Sequence, residues 1–190
     1  MSTSSTDMSR FRRTGGHRKG YKPSEVHEFF NQAKAGYERT AGDDDPFTMH
    51  KVRQQAFSMV RNGYEPADVD YALDRLMEAF VRRERAEVVS REGDEAWLQS
   101  TYGKARTLYP RLKRLHSERF AMARRGPGYH VQDVDDFLER IRDYFESAEP
   151  LTADEVLRVT FRVARRGNRY DEASVDEFLD RVYEVLASVE

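Results

Sequence analysis

The chain contains no cysteine, which excludes disulfides, thiolate metal sites and cysteine nucleophiles together. No apolar run approaches the roughly 18 residues of a membrane span. The opening MSTSSTDMSRFRR has no hydrophobic stretch after its charges, so it does not read as a secretory signal. GxSxG, P-loop and GxGxxG patterns are missing, and Gly15-Gly16 is too short to cradle a phosphate. His17, His27, His50, His116 and His130 show no HxxH or HExxH spacing, so no metal ligation is expected. A net charge of −2 and a pI near 6.3 argue against a polycation made for nucleic acid. The reading is a cytoplasmic protein that is not an enzyme, with no catalytic residue, cofactor or metal. Sustained period-two alternation is missing as well, so the expected fold class is all-α.

What the chain does have is one pattern, four times over. The clearest copy is Phe57, Gly63, Tyr64, Val69, Leu73; the third is Phe120, Gly128, Tyr129, Val134, Phe137, Leu138. The fourth is Phe161, Tyr170, Val175, Phe178, Leu179, and a weaker first copy is Phe11, Gly20, Tyr21, Val26, Phe29, Phe30. Tyr precedes Val by five residues in every copy. A register held at that spacing marks a duplicated structural unit.

Apolar spacing reads each unit as a helical hairpin, so the chain becomes tandem helix–turn–helix repeats packed as short pseudo-two-fold bundles. In the second copy the leading helix spans about 48–61, with Asn62-Gly63 supplying a positive-φ helix end and Pro66 opening the trailing helix. Leu115, Phe120, Met122, Val159 and Val163 are assigned to inward stripes, Trp97 and Tyr102 to core filling, and Asp94 to an N-cap. Thr152 and Glu155 form a capping box. The divisions are a disordered tail over 1–19 apart from Phe11, copies one and two over 20–92, a connecting helix over 93–109, and copies three and four over 110–190. Thr40 to Phe47 reads as a linker. Each recurrent Tyr staples its turn with the hydroxyl left in water. Two conditions carry the hairpin reading, and the scaffold assignment with it: Val69, Val134 and Val175 must be buried, and the turns must be free of strands.

GYEPADVD (63–70), GYHVQDVDDFLERI (128–141) and YDEASVDEFLDRV (170–182) resemble the N-terminal domain of the DivIVA family of bacterial division and polar-growth scaffolds. The resemblance covers about 30 residues per copy, well over half the chain. It implies a helical, dimer-forming module at the inner face of the membrane, at septum or poles, that recruits protein partners of the division or cell-wall machinery. Two features depart from the family: no long coiled coil follows, and Arg61, Asn62, Gly126, Pro127 and 167–169 stand where a loop-tip aromatic is common. The resemblance therefore carries dimer-like packing and leaves bilayer insertion without its usual residue.

Arg61, Arg124, Arg125, Arg165, Arg166 and Arg169 flank the turns, with Arg12, Arg13, Arg18 and Lys19 in the first copy. Turns three and four together present five Arg, a surface for acidic partners or lipid phosphates. The competing reading is C-terminal helix capping. Asp68, Asp70, Asp133, Asp135, Asp136, Asp176 and Glu177 read as helix-dipole partners. The alternative function, a nucleic-acid-binding regulator built on helix–turn–helix units, meets the objection that phosphates avoid acidic helix N-termini.

Overall fold

The computed structural model describes residues 11–38 and 47–190. The expected linker at 40–47 lies outside these residues except for Phe47. The elements in chain order are β1 (Lys19–Tyr21), α1 (Pro23–Glu38), α2 (Met49–Arg53), β2 (Met59–Arg61), α3 (Pro66–Glu92), α4 (Asp94–Arg106), α5 (Tyr109–Leu112), β3 (Gly128–His130), α6 (Val131–Ser147), α7 (Ala153–Arg158), β4 (Val163–Ala164), β5 (Arg169–Tyr170) and α8 (Glu172–Ala187). The protein is mainly helical with small sheets. It divides into two compact units, 1–83 and 84–190, at a point inside α3.

Local chemistry explains the helix starts. Pro23 and Pro66 open α1 and α3, where a missing N–H costs nothing. Thr152 and Glu155 form the reciprocal capping box on α7. Asp171 caps α8 by accepting from the Ser174 N–H at 3.0 Å. Gly93, not Asp94, occupies the N-cap of α4. The trailing helices bury one stripe each: Val26, Val69, Val134 and Val175 are all 0% exposed. The first condition of the hairpin reading is met.

The second is not. Strands occupy the turns, and the helices expected before them are short or missing: α2 ends at Arg53, and the chain from Phe57 onward is extended. The repeated unit is therefore not a helical hairpin. The residue after each recurrent Phe explains why: its backbone groups are committed to another copy. Ser58 donates its N–H to the Glu25 carboxylate at 2.8 Å and accepts from the Lys22 N–H at 2.9 Å. A helix needs those same groups for its own ladder.

The same bond recurs at every equivalent position. The residue after each Tyr donates to the carbonyl after the Phe of another copy: Lys22 to Ser58 at 2.9 Å, Glu65 to Arg12 at 2.8 Å, His130 to Arg162 at 2.9 Å, Asp171 to Ala121 at 2.9 Å. Tyr21 and Tyr64 exchange both backbone hydrogen bonds, at 2.9 and 2.8 Å, and Tyr129 pairs antiparallel with Tyr170. The register across the first unit runs Arg13, Tyr64, Tyr21, Met59, and across the second Met122, Tyr170, Tyr129, Val163. In each unit the segment from Phe to Tyr of one copy passes across the Tyr strand of the other. The two connections are interleaved.

Several side chains differ from their expected places. Residues 11–19, read as tail, are ordered: Thr14 is buried, its N–H bonds the Gly63 carbonyl at 3.0 Å, and Arg12 bonds Asp68. Leu115 and Val163 are exposed, at 71% and 58%, because their segments are not helical, and Tyr102, at 61%, lies off the face of α4 that buries Trp97, Thr101 and Ala105. Trp97 is buried and donates Nε1–H to the Ser188 carbonyl at 3.0 Å.

The glycine before Tyr serves close approach. Asn62, not Gly63, takes the positive φ. A Cβ on Gly63 would collide with the Gly20 and Tyr21 carbonyls, and one on Gly128 would strike the Tyr170 carbonyl and lie 2.9 Å from Arg169 Cγ. Gly63→Ala and Gly128→Ala are each expected to destabilise by about 2 kcal/mol or more through forced backbone separation. Gly103→Ala, with open space around its Cβ inside α4, is expected to stabilise by about 0.5–1 kcal/mol. Urea unfolding of the three variants measures both signs.

Candidate interaction surface

The motif residues build the crossing on which the turns sit. Phe57, Gly63, Tyr64, Val69, Phe120, Gly128, Val134, Phe137, Leu138, Tyr170, Val175, Phe178 and Leu179 are buried, while Leu73, Tyr129 and Phe161 are half-buried. Each Phe packs on the Tyr of the other copy: Phe57 on Tyr21 at 5.3 Å, Phe11 on Tyr64 at 5.3 Å, Phe120 on Tyr170 at 5.3 Å, Phe161 on Tyr129 at 5.2 Å. Such tilted and edge-on pairs add to area burial.

The Tyr hydroxyls are not left to water. Each bonds the side chain six residues after the Tyr of the paired copy: Tyr21 to Asp70, Tyr64 to His27 Nε2 at 2.6 Å, Tyr129 to Asp176, Tyr170 to Asp135 Oδ1 at 3.0 Å. Burial, with the nearby carboxylates, pushes the Tyr129 hydroxyl up to about 12. Tyr170 also reaches about 12; burial and Asp135 raise it against the opposing Arg119 N–H.

The acidic residues before each Val also have a partner across the crossing, beyond any helix-dipole role. Asp68 accepts from the Arg12 N–H at 3.1 Å and pairs with its guanidinium at 2.7 Å. Asp133 accepts from the Arg162 N–H at 3.0 Å and pairs with its guanidinium at 2.5 Å. Glu25 bonds Ser58 in the same way, and Ser174 replaces the acid in the fourth copy. The hydrogen bonds from Arg12 and Arg162 hold Asp68 and Asp133 each at about 2.

In the second unit this polar layer goes deeper. Arg119 is 1% exposed and donates to the Asp135 carbonyl at 2.9 Å, the Arg114 carbonyl at 3.3 Å and Glu139. Asp135, also 1% exposed, accepts from the Ser117 N–H at 2.8 Å and from Tyr170. Burial alone would raise Glu139, but Arg119, His116 and Arg142 outweigh it and bring it down. A buried charge tolerated this way needs every partner in place.

Of the Arg residues singled out from sequence, Arg61, Arg124, Arg125, Arg165 and Arg166 are exposed and make no side-chain hydrogen bond or ion pair among the described residues. Arg169 differs. Its Nε donates to the Gly126 carbonyl and its Nη1 to the Gly167 carbonyl, both at 3.0 Å, so it ties turns three and four together. Four Arg rather than five are therefore presented there. In the first unit Arg12 and Arg18 are paired with Asp68 and Glu65, and Arg13 lies 4.7 Å over the Tyr64 ring. Sequence reasoning missed Arg119, Arg162 and His27. The acids four residues after Tyr in three copies (Glu25, Asp68, Asp133) and six residues after it in three (Asp70, Asp135, Asp176) were the available signal for carboxylates that reach the paired copy.

Comparison with protein-family models, curated proteins and solved structures gave no match.

Asp68 and Asp133 are depressed below their unfolded value, so their contribution to stability is full above about pH 4 and is lost as pH falls toward about 2. Unfolding by urea between pH 5 and 2 should show that loss. The double variant Arg12→Ala/Arg162→Ala should show a shallower one. An identical pH profile would contradict these pairings.

Proposed function

We propose that the chain is a non-enzymatic adaptor made of four DivIVA-like copies, paired one with two and three with four about a pseudo-two-fold axis within a single chain. It acts in bacterial division or polar envelope growth, binding protein partners and the anionic inner surface of the membrane. The observation that carries this reading is the hydrogen bond from the residue after Tyr to the residue after Phe, repeated at all four equivalent positions. Strands in the turns fail the second condition set on the sequence, so the helical hairpin no longer supports the scaffold assignment; the reading now rests on this reciprocal pairing and on the DivIVA resemblance of the repeated motif.

The clamped turns of the second unit supply the surface. Arg124, Arg125, Arg165 and Arg166 are free to meet phosphates or carboxylates, at about 1 kcal/mol each near an anionic membrane. No helix among the described residues is long and apolar enough to cross a membrane. The nucleic-acid alternative relied on a helix running into each turn, and those helices are short or missing.

A fluorescent fusion is expected at septa or poles, and the purified chain is expected to sediment with vesicles containing phosphatidylglycerol. Changing Arg124, Arg125, Arg165 and Arg166 to Ala should abolish sedimentation. Diffuse or nucleoid fluorescence, or a salt-dependent shift of generic duplex DNA without vesicle binding, would overturn the reading.

A further inference from the structure

The residue before Tyr is Gly20, Gly63 and Gly128 in the first three copies, but Arg169 in the fourth. The exception stands where the two segments cross. In the first unit both places are glycine, and each faces the other's backbone: a Cβ on Gly20 would strike the Tyr64 carbonyl, and one on Gly63 the Gly20 carbonyl. In the second unit a Cβ on Gly128 would lie 2.9 Å from Arg169 Cγ, so Gly128 leaves room for the Arg169 stem to pass. The Arg169 backbone is fixed on both sides. It pairs with His130 in the strand register, and its carbonyl accepts from the Ala123 N–H at 2.9 Å. From there Nε reaches the Gly126 carbonyl and Nη1 the Gly167 carbonyl, each at 3.0 Å. These glycines hold the same place in Ala-Arg-Arg-Gly over 123–126 and over 164–167, and both take a positive φ, 73° and 78°. One side chain thus grips both turns at their equivalent point, directly after each free Arg pair.

We infer that Arg169 is the positioning residue of the second unit's surface, joining Arg124-Arg125 and Arg165-Arg166 into one preformed site for the phosphate layer of an anionic bilayer. This rests on the reading of the free Arg pairs as a membrane contact. No acidic residue occurs from Arg119 to Gln132 or from Val156 to Tyr170, so nothing within either turn segment offsets the charge. Four free guanidiniums on two short bends repel one another and, unrestrained, spread apart. The fork of Arg169 opposes that spread with two charge-assisted hydrogen bonds of fixed geometry. Turns already held together lose less freedom when phosphates arrive, and the smaller entropy loss appears as affinity. The first unit has no such tie: its equivalent places are glycine, and Arg18 is paired with Glu65.

Two variants of the full chain test this. Arg169→Gly installs the residue that the other three copies carry, so the crossing is expected to close. Arg169→Lys keeps the charge and removes the fork. Co-sedimentation across a titration of vesicles of phosphatidylglycerol in phosphatidylcholine reads affinity, and thermal melting with backbone NMR reads the fold. Both variants are expected to melt close to the unmodified chain and to need about tenfold more lipid for half-maximal binding. NMR relaxation should show new fast motion at residues 124–126 and 165–168 in both. The inference is overturned by itself if either variant binds as the unmodified chain does, or if the turns stay rigid in both. It is also overturned if weaker binding comes with a large fall in melting temperature in both variants, since Arg169 would then only support the fold. Should Arg169→Gly fail to fold, Arg169→Lys decides by the same criteria. Failure of the unmodified chain to sediment overturns the membrane contact itself, and this inference falls with it.

Discussion

Two tyrosines meeting backbone to backbone set the form of each unit. Tyr21 and Tyr64 exchange their N–H and C=O groups, and Tyr129 and Tyr170 hold the equivalent antiparallel position. Once they are joined, the residue after each Tyr is brought against the residue after the opposite Phe, and that Phe against the opposite Tyr ring. Gly63 and Gly128 are required because the two segments touch where a Cβ would stand. Neither copy closes its own core.

The placement of charge follows from the crossing. Carboxylates four and six residues after Tyr are drawn into it, where they bond a backbone N–H, a guanidinium or a Tyr hydroxyl. In the second unit the layer extends into a buried Arg119–Asp135–Tyr170 network, which makes that unit intolerant of losing any one member. The turns are pushed outward, and Arg169 holds two of them together. The first unit neutralises Arg12 and Arg18 internally, whereas the second leaves its Arg pairs free. Units of the same construction thus present different surfaces.

Sequence pattern made the trailing helices legible because each buries a single stripe at helical spacing, with Val26, Val69, Val134 and Val175 in the first turn at 0% exposure. The same pattern misled over the leading segments. Phe57 and Val60 fit a helical face on paper, yet Ser58 between them gives its backbone groups to Lys22 and Glu25. Non-local pairing of that kind leaves no periodic trace in strands only two or three residues long. Arg124, Arg125, Arg165 and Arg166 lie in bends while Arg61 and Arg169 lie in strands, and spacing alone did not separate Arg169, a tie between loops, from the free Arg124 and Arg165. The buried roles of Tyr170 and Asp135 were hidden for the same reason: each depends on a residue thirty-five positions away.

The central claim is that the copies pair reciprocally within one chain. Amide hydrogen exchange at Lys22, Glu65, His130 and Asp171, together with Tyr21 and Tyr64, tests it most directly, because these N–H groups bond across the crossing. Protection by at least about a thousandfold, lost together within each unit on mild destabilisation, is the predicted result. Exchange of these amides at the rates of an open loop, while the trailing helices stay protected, would contradict it.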